Sequence, residues 1–473
     1  MTNEHFRKSA HEIVDWMADY MENVEQLPVK SQVEPGEIKA KLPSTPPQAG
    51  EEMDAIFNDF KKIIMPGITH WQHPSFHAYF PGNSSKPSVL AEMLTATLGV
   101  QAMIWNTSPS AAELEEQMME WFKSMMALPS NWTGSIQNGA SDSTLNAILT
   151  AREKISGFTT NKEGITHNKL RVYCSEQAHS SVDKAMAIAG LGKNNLVKIA
   201  VDETFALNPI ELEKSIQQDV TNGLTPLMVV AAIGTTGTTA IDPLPKIALI
   251  TEKHKLWLHI DAALAGTALI LPEMRWMVQG LEKADSLVFN PHKWMFTNFD
   301  ASVYFVKDKA ALINTFAESP EYLKTKEDSQ VTNYRDWGVP LGRRFRALKL
   351  WFVIRNFGVE KLQKKIRLHL QLSQNFKKWI EEFPQLELMA PVDLNTICFR
   401  FADLSKTKEE LNVLSEQLLE QINDSGKAYL THTKLNDWFT IRLVIGQTNV
   451  TSTHISNIKK LISELVESTV FQT

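Results

Sequence analysis

The sequence predicts an α/β protein built on a mostly parallel central sheet with helices on both faces. Short apolar runs of strand length alternate with helical patterns across the middle of the chain, which is typical of parallel strands joined by helices. The chain has 473 residues, more than one compact core holds. The pattern also changes on both sides of the middle section. We therefore expect three parts, at residues 1–84, 85–346 and 347–473.

The first part is predicted to be a helical arm. Residues 4–24 repeat apolar side chains at helical spacing, and residues 51–64 do so again after a proline-rich connector. Two helices of this size contain too little apolar material for a core of their own. We expect the arm to pack on the main domain or on a second subunit.

The middle part contains the alternating pattern. Its apolar runs are at residues 171–174, 196–201, 226–233, 256–260, 286–289 and 301–306. Helical patterns lie between most of them, for example at residues 208–218 and 243–253. Ligands bind at the carboxyl ends of the strands in such sheets. Residues that follow each run are therefore the first candidates for a site.

The last part has the pattern of a smaller α+β domain. The predicted elements are a long helix at 348–383, strand-like runs at 396–401 and 438–445, and a terminal helix near 452–466. This order differs from the strand–helix alternation before it, which places a domain boundary near residue 347.

Composition excludes several classes of function. Hydrophobic residues make up 43% and charged residues 22%, as in ordinary globular proteins, and the formal net charge is −6. The sequence has no basic block or stripe, so nucleic acid and anionic membranes are not expected as partners. No stretch approaches the roughly 18 apolar residues of a membrane span. We expect a soluble, cytoplasmic protein.

The cysteines and the short motifs narrow the chemistry further. Cys174 and Cys398 both lie in strand-like apolar runs, so we expect buried free thiols in a reducing compartment. His11 and Glu12 lack the second histidine of a zinc-binding helix, and the sequence has no Walker-type or dinucleotide-binding loop. No metal site is predicted.

Lys293 and Asp261 are the most informative pair in the chain. Asp261 directly follows the run 256–260, and Lys293 lies just after the run 286–289. A lysine can hold pyridoxal phosphate as a Schiff base, and a carboxylate can keep the pyridine nitrogen protonated so that the ring accepts electrons. Taken singly, Lys293 is explained as a solvated charge and Asp261 as a helix cap or backbone-bonded carboxylate. Together they indicate a pyridoxal phosphate site.

Two turns of small and hydroxyl-bearing residues are candidates for the phosphate. Residues 137–141 precede a helical run, and the free N–H groups at a helix start attract anions. An ordinary capped helix, with Ser141 or Asp142 as N-cap, explains the same residues. The turn 234–239 ends another strand-like run. Its Thr236 becomes a phosphate or ring contact only if the two turns converge.

Further side chains near these strand ends complete the candidate site. His179 follows another strand and would stack on the ring and handle protons, although a satisfied interior histidine also explains it. The small Ala263 suits a flat ring lying against the strand. Asn290 and His292 flank Lys293 and would help to seat the phosphate.

Several strings of residues carry a resemblance to a known enzyme family. They are HAYFP at 77–81, QAHSS at 177–181, HIDAA at 259–263, NPHKW at 290–294 and PLGRRFR at 340–346. From about residue 6 to 465 the chain resembles the pyridoxal-phosphate-dependent aromatic-L-amino-acid decarboxylases, the group II decarboxylases. The resemblance implies the type I pyridoxal-phosphate-dependent transferase fold. It also implies an obligate homodimer with shared active sites, in which the arm wraps the partner.

The resemblance also implies a role for each candidate residue. Lys293 would be the Schiff-base lysine, Asp261 the pyridinium partner and His179 the stacking histidine. The residues implied around the cofactor are Ala140, Ser141, Thr236, Ala263, Asn290 and His292. The residues implied around the substrate are Trp71, Tyr79, Phe80 and Pro81, with Gln101, Met103 and Ile104 from the other subunit.

The implied reaction is decarboxylation of an aromatic L-amino acid to the aryl amine and carbon dioxide, through an external aldimine and a quinonoid. Dopa, 5-hydroxytryptophan, tryptophan, tyrosine and phenylalanine are the expected substrates, with histidine as an alternative. The polar loop 314–333 resembles the family's lid, and its Tyr322 matches the tyrosine that protonates Cα. Members that make aldehydes carry Phe there or lack the histidine matching His179. This chain has both the tyrosine and the histidine, so the resemblance favours formation of the amine over the reaction of an aromatic acetaldehyde synthase.

Three positions bear on substrate choice. Gly82 stands where relatives often have a threonine that contacts the substrate carboxylate, and Leu264 where a tyrosine is common. Gly342 leaves room for a bulky indole.

Two other classes of protein are alternatives. An aminotransferase would need an arginine that binds the carboxylate and would give a keto acid. A catalytically silent dimeric scaffold would lack the visible absorption of bound cofactor, and intact Lys293 and Asp261 argue against it.

Overall fold

The computed structural model describes residues 1–165, 169–318 and 320–470. The chain divides into two units. One contains residues 1–81, 375–389 and 399–473, and the other contains residues 82–374 and 390–398. The predicted arm and most of the predicted C-terminal part fall in the same unit, and the three-part division stays a prediction.

The N-terminal segment is helical where its apolar spacing predicts helices. Its helices are α1 (Asn3–Asn23), α2 (Glu37–Lys41) and α3 (Met53–Asp59). The Thr2 hydroxyl accepts a hydrogen bond from the His5 N–H at 3.2 Å and so caps α1. A π-helical turn, Phe60–Ile64, continues α3 to the end of the predicted second helix.

A seven-stranded sheet forms the centre of the unit that contains residues 82–374. Its strands are β1 (Thr133–Gln137), β2 (Leu170–Ser175), β3 (Leu196–Ile199), β4 (Thr225–Ala232), β5 (Trp257–Asp261), β6 (Ser286–Phe289) and β7 (Ser302–Val306). The spatial order is β1-β7-β6-β5-β4-β2-β3. Among these seven strands, β7 alone runs in the direction opposite to the other six. The mostly parallel sheet is therefore confirmed, and each predicted run forms a strand.

Helices accompany this sheet, as the alternating pattern predicts. They are α4 (Lys86–Leu98), α5 (Pro109–Met126), α6 (Ala140–Ile155), α7 (Thr160–Glu163), α8 (Ser181–Ile188), α9 (Pro209–Thr221), α10 (Leu244–His254), α11 (Pro291–Trp294) and α12 (Lys309–Phe316). Ile148 of α6 and Val182 of α8 are fully buried in one core with Val172 and Val230 of the sheet. Each such side chain contributes roughly 1.5–3 kcal/mol. This core fixes the start of α6 against the strand ends.

A long helix, α13 (Ala347–Glu382), follows at the position predicted for it. It is interrupted at Gly358, whose φ of 68° and ψ of 160° are not helical. Glycine adopts a positive φ without the steric cost that a Cβ imposes. Two helical segments therefore meet at Gly358, where the sequence pattern predicts one continuous helix.

The C-terminal elements include a second sheet. They are β8 (Leu386–Leu388), β9 (Thr396–Phe401), α14 (Lys408–Asp424), β10 (Thr431–Leu435), β11 (Trp438–Val444) and α15 (Ser452–Val470). The sheet order is β10-β11-β9-β8, with β10 antiparallel to β11 and β8 antiparallel to β9. The predicted runs form β9, β11 and α15, whereas the sequence analysis did not predict β8, β10 or α14.

Three further observations concern thiols, membranes and metals. Cys174 and Cys398 are both buried and neither forms a disulfide, and burial raises the pKa of the Cys174 thiol to about 12. Within the described ranges, no helix combines the length and the apolar character that a bilayer requires. In those same ranges, no group of three or more His, Cys, Asp or Glu side chains is arranged to hold a metal ion.

Candidate active site

The carboxyl ends of β5 and β6 carry the two central candidate residues. Asp261 is the last residue of β5, and Lys293 lies in the short helix α11 that follows β6. The Asn290 N–H donates to the Ala263 carbonyl at 2.9 Å, and the Lys293 N–H donates to the Asn290 carbonyl at 2.9 Å. Because β5 and β6 are neighbouring parallel strands, Asp261 and Lys293 lie at the same edge of the sheet.

His179 joins these two residues. It lies in the turn between β2 and α8, and its Nδ1 atom is 2.8 Å from the Ser181 hydroxyl. Partial burial lowers the pKa of His179, the Asp261 carboxylate opposes this shift, and the Lys293 charge adds to it. Both charges therefore act on the imidazole. The structure brings together three groups that follow three different strands.

His259 supports Asp261 from inside the sheet. Its Nδ1 atom is 2.9 Å from the Ser286 hydroxyl, and its Nε2 atom is 3.4 Å from the Thr144 hydroxyl on α6. Burial lowers the pKa of His259 to about 4, so the ring is neutral near pH 7. One Asp261 oxygen accepts a hydrogen bond from the Ala263 N–H at 3.1 Å. The end of β5 is thus fixed by α6 and by its own turn.

The first turn of α6 is the first candidate phosphate turn. The helix begins at Ala140 with Gly139 as its N-cap, so the expectation that Ser141 or Asp142 caps it is wrong. A Cβ added at Gly139 would meet no atom within 4 Å, so the space beside it is open. Ser141 is exposed in the first turn, where helical N–H groups have no intrahelical acceptor. This open end suits an anion.

The second candidate turn, 234–239, is held by its own side chains. The Thr235 and Thr238 hydroxyl oxygens are 3.1 Å apart, and the Ala240 N–H donates to the Thr235 hydroxyl at 3.1 Å. Thr235 and Thr238 are buried, whereas Thr236 is exposed. The turn therefore has a rigid base and presents Thr236 at the surface.

The backbone around Lys293 is tightly held. The Asn83 N–H donates to the His292 carbonyl at 3.0 Å, and the Asn83 amide donates to the Lys293 carbonyl at 2.7 Å. The Nδ1 atom of His292 accepts from the Ala301 N–H at 3.0 Å. Burial, with help from the Lys293 charge, lowers the pKa of His292 to about 4. Lys293 therefore stands on a backbone fixed from two directions.

These residues fit pyridoxal phosphate. Asp261 would supply a carboxylate for a protonated ring nitrogen, and Lys293 would supply an amine for the aldehyde. The start of α6 would supply N–H groups for the phosphate. The Oδ1 atom of Asn290 is buried without a hydrogen-bond partner among the described residues, which is costly unless a ligand group or water satisfies it. The donor set matches the cofactor that the sequence predicts.

The predicted substrate-lining segment lies in the unit that contains residues 1–81. Trp71 stacks on Tyr79 with ring centroids 5.8 Å apart, and it also contacts Phe76 at 4.5 Å. Trp71 is 40% exposed and Tyr79 49% exposed, although both are aromatic. Phe80 is half-buried under the Arg442 guanidinium, 4.9 Å from its ring centroid. The segment therefore has two exposed aromatic rings that stack on each other.

The residues predicted to enter the other subunit's site are anchored to the segment 333–343. The side-chain oxygen of Gln101 accepts from the Arg343 N–H at 2.6 Å, and the Met103 carbonyl accepts from the Arg335 N–H at 2.8 Å. Ile104 is buried. A Cβ added at Gly342 would lie 3.3 Å from the Gln101 amide nitrogen, so a larger residue would press on Gln101.

The predicted lid is shorter than the sequence suggests. Helix α12 extends to Phe316, so residues 314–316 belong to a helix and the loop proper begins after them. Ser319 lies outside the described residues. Tyr322 is 79% exposed in a single turn whose next residue, Leu323, is buried. The Leu323 carbonyl accepts a hydrogen bond from the Arg335 guanidinium at 2.5 Å.

Two residues of this site were not identified from the sequence. Asn83 carries no motif of its own, and nothing before folding connects it to Lys293, 210 positions away. Arg346 lies in the string at 340–346 that carries the family resemblance, but the resemblance implied no role for it. Its guanidinium donates to the Asn138 side-chain oxygen at 2.6 Å, and the Asn138 amide donates to Asp142 at 2.5 Å. Arg346 therefore supports the start of α6.

A parallel sheet that gathers a lysine, an aspartate and a histidine beside an open helix start defines a pyridoxal-phosphate-dependent enzyme. The family model described as the pyridoxal-dependent decarboxylase conserved domain matches residues 35–402. The chain belongs to this family of pyridoxal-dependent decarboxylases.

Individual relatives cover nearly the whole chain. Tryptophan decarboxylase 2 of Oryza sativa subsp. japonica is 39% identical, over 98% of this chain and 95% of its own length. Phenylacetaldehyde synthase of Arabidopsis thaliana is also 39% identical, over 98% of this chain and 96% of its own. The crystal structure of Oryza sativa TDC with PLP and tryptamine superposes with a TM-score of 0.95, at 31% identity and 99% coverage of both chains.

Proposed function

We propose that this protein decarboxylates aromatic L-amino acids to the aryl amine and carbon dioxide. Dopa, 5-hydroxytryptophan, tryptophan, tyrosine and phenylalanine are the candidate substrates. The proposal is carried by one observation: Asp261 ends β5 and Lys293 lies in the short helix α11 that follows the neighbouring parallel strand β6, so both lie at one edge of the sheet. The similarity to a tryptophan decarboxylase supports an aromatic substrate.

Each residue has a defined task in this proposal. Bound pyridoxal phosphate supplies a conjugated ring that accepts the electron pair left by departing carbon dioxide. Lys293 holds the aldehyde carbon, Asp261 keeps the ring nitrogen protonated, and His179 stacks on the ring face. The other proposed cofactor contacts are Ala140, Ser141, Thr236, Ala263, Asn290 and His292.

Tyr322 is the proposed proton donor. A proton must reach Cα after carbon dioxide leaves, and water must be kept away while it does so. Tyr322 lies on the exposed turn Glu321–Leu323, and the buried Leu323 next to it anchors that turn. Closure of this loop would bring the phenol to the substrate and exclude water.

The aromatic segment is the proposed wall for the substrate's ring, formed by Trp71, Tyr79, Phe80 and Pro81. Its exposed rings supply the apolar, polarizable surface that an aryl group needs. The stacking of Trp71 on Tyr79, with ring centroids 5.8 Å apart, supports this role because it presents two rings together.

A homodimer with shared active sites is the proposed assembly. Helix α4 carries an exposed apolar stripe at helical spacing, in which Leu90 is 53%, Leu94 46% and Leu98 61% exposed. Such a stripe on one face of a helix is typical of an interface. A second copy of the chain would cover it, and Gln101, Met103 and Ile104 would then enter the partner's site.

A cytoplasmic location is also proposed. It is supported by Cys174 and Cys398, which are kept as buried thiols rather than joined in a disulfide. No nucleic acid or membrane partner is proposed, because the net charge of −6 comes without a basic block.

Two alternative reactions use the same scaffold. The similarity to phenylacetaldehyde synthase of Arabidopsis thaliana favours an aromatic acetaldehyde synthase, which also releases ammonia and hydrogen peroxide. Tyr322 and His179 are both present and favour simple decarboxylation. Histidine decarboxylation is the other alternative, and the aromatic wall accepts an imidazole less well than a larger ring.

The proposal is tested by measuring carbon dioxide release over a panel of aromatic amino acids, with histidine and glutamate added. We expect a yellow holoenzyme that converts at least one aromatic member to its amine. Lys293→Ala should abolish both turnover and the visible absorption of the bound cofactor. Lys307→Ala, at the residue directly after the neighbouring strand β7, is the matched control and should retain both. Turnover by Lys293→Ala, or no release from any aromatic substrate, would refute the proposal.

A further inference from the structure

The segment that leads into the aromatic wall is built onto the C-terminal sheet of its own unit. The His77 N–H donates to the Tyr429 carbonyl at 2.8 Å, and the Tyr429 N–H donates to the Ser75 carbonyl at 3.2 Å. On its other side the Val444 N–H donates to the His77 carbonyl at 3.0 Å. Residues 75–77 are therefore fixed by backbone bonds to both Tyr429 and β11.

Tyr79 itself has an unusual backbone. Its φ of 53° lies in the left-handed region, which residues other than glycine rarely adopt because of steric strain. The Tyr79 N–H donates to the Thr431 hydroxyl at 3.3 Å, and its carbonyl accepts from the Arg442 guanidinium at 3.0 Å. Both polar groups of this strained residue are thus held by side chains of β10 and β11.

The Tyr79 phenol is held as well. Its oxygen is 3.4 Å from the Tyr429 oxygen, and the two rings meet edge to face with centroids 6.1 Å apart. Burial, with help from the Tyr79 hydrogen bond, raises the pKa of Tyr429 to about 12, so this phenol stays neutral and able to hydrogen-bond. Tyr429 also packs edge-on against Phe76 at 5.6 Å. The direction of the Tyr79 ring is therefore set by Tyr429.

We propose that Thr431 and Tyr429 are positioning residues that determine aromatic-substrate specificity. Thr431 holds the backbone of Tyr79 in its left-handed conformation, and Tyr429 fixes the direction of its ring. Neither belongs to the proposed pocket, and the groups proposed for the chemistry, Lys293 and Asp261, lie in the other unit. The inference rests on the proposed role of Tyr79 as substrate wall. It predicts an effect on substrate affinity without an effect on cofactor binding.

The test compares Thr431→Val and Tyr429→Phe with the wild-type holoenzyme. Loss of one hydrogen bond should raise KM for the preferred substrate about three- to tenfold, with kcat changed less than about twofold. The preference between phenyl and indole substrates should narrow, because the Tyr79 ring becomes free to rotate. Cofactor absorption should be unchanged. Thr433→Val, two residues along β10 and also half-buried, is the matched control and should behave as wild type.

Two further measurements distinguish loss of the Thr431 hydrogen bond from a general loss of packing. Thr431→Ser retains the hydroxyl and should restore KM, which a general loss of packing would not allow. Hydrogen–deuterium exchange of a peptide covering residues 75–81 should rise in Thr431→Val and not in Thr433→Val. Unchanged KM and unchanged exchange in Thr431→Val would overturn the inference, as would equal effects in Thr433→Val. If wild type converts no aromatic amino acid, the proposed function fails, while the exchange measurement still decides whether Thr431 holds Tyr79.

Discussion

Tyr322, the proposed proton donor, is 79% exposed. Its neighbour Leu323 is buried, and the Leu323 carbonyl is bonded to Arg335. The turn that carries Tyr322 is thus anchored on one side, while the phenol itself projects into solvent. A proton donor in this position acts only after the loop moves, so its contribution concerns the fate of the product rather than cofactor binding.

We expect Tyr322→Phe to shift the products from amine toward aldehyde. Without the phenol proton, protonation at Cα would be slower, and dissolved dioxygen would act as the two-electron oxidant that yields aldehyde, ammonia and hydrogen peroxide. The measurement is simultaneous assay of amine, aldehyde and hydrogen peroxide from one substrate. Glu321→Gln, an exposed neighbour on the same turn, should leave the ratio unchanged. An unaltered amine yield in Tyr322→Phe would remove this residue from the role of proton donor.

Buried histidines make stability sensitive to acid. Burial lowers the pKa of His77, His259 and His292 to about 4, from an ordinary value of 6.5. In the unfolded chain these rings bind protons below about pH 6.5, whereas in the folded protein they do not until about pH 4. Their contribution to stability is therefore complete above pH 6.5 and is lost as the pH falls toward 4.

The expected outcome is a lower Tm at pH 5.0 than at pH 7.5. His259→Gln removes one such ring and should reduce the difference between the two Tm values, even if it lowers both. His5→Gln, at an exposed position of α1, should leave the difference as it is in wild type. A Tm that is the same at both pH values would contradict the linkage.

At the scale of elements, the start of α6 is the part of the site most dependent on distant residues. Arg346 donates to Asn138 and also to Asp300 at 2.8 Å, and Asn138 bonds Asp142 in the first turn. Burial opposes ionisation of Asp300, but the Arg346 hydrogen bond and charge hold its pKa below the ordinary value. A charged network therefore holds the turn that is proposed to bind the phosphate.

Arg346→Lys should weaken cofactor binding about tenfold or more. A lysine keeps the charge but cannot reach Asn138 and Asp300 in the same geometry, and a lost bond to a charged group costs about 1.5–3 kcal/mol. The measurement is equilibrium titration of the apoprotein with pyridoxal phosphate. Arg355→Lys, exposed on α13, serves as control and should bind as wild type does. Equal affinities for the two variants would show that the network does not support the phosphate turn.

The elements differ in how well the sequence predicts them. β2, β4, β5 and β6 are buried on both faces and appear as continuous apolar runs, which is why they could be predicted. β1 has the sequence TGSIQ, with one strongly apolar residue, and it becomes a strand through its antiparallel pairing with β7. The explanation that Ser141 or Asp142 caps α6 was wrong. Both are good capping residues, but the backbone enters the helix at Gly139.

The residues of the candidate site also differ in how well the sequence predicts them. Lys293, Asp261 and His179 follow apolar runs and could be named from the sequence, because parallel strands end at one edge. Asn83 and Arg346 act through contacts with residues about 210 positions away, and no local pattern encodes such pairs. Folding, rather than spacing, determines which polar side chains support the reactive ones.

At the scale of the whole molecule, the exposed stripe on α4 argues for a second subunit. Leu90, Leu94 and Leu98 would each leave apolar surface in water if the chain acted alone. Full burial of a leucine side chain contributes roughly 1.5–3 kcal/mol, and because these three are already about half buried, a partner that covers them would gain only part of that from each.

Leu94→Asp should dissociate this dimer. A carboxylate at the centre of the stripe would have to be buried without a partner, which costs far more than the leucine contributed. Sedimentation velocity gives the mass of the species in solution. Val413→Asp, an equally exposed position on α14, is the control and should remain dimeric. Should wild type sediment as a monomer, or Leu94→Asp as a dimer, α4 would not be the interface.

The hydrogen bonds from Asn83 to the main chain at His292 and Lys293 have a practical consequence. Asn83 and Lys293 belong to the same unit, although they lie far apart in the sequence. A substitution of Asn83 would therefore loosen the main chain at Lys293 without changing the lysine itself. Variants engineered in this stretch of the chain need to keep the Asn83 side-chain amide if Lys293 is to stay in place.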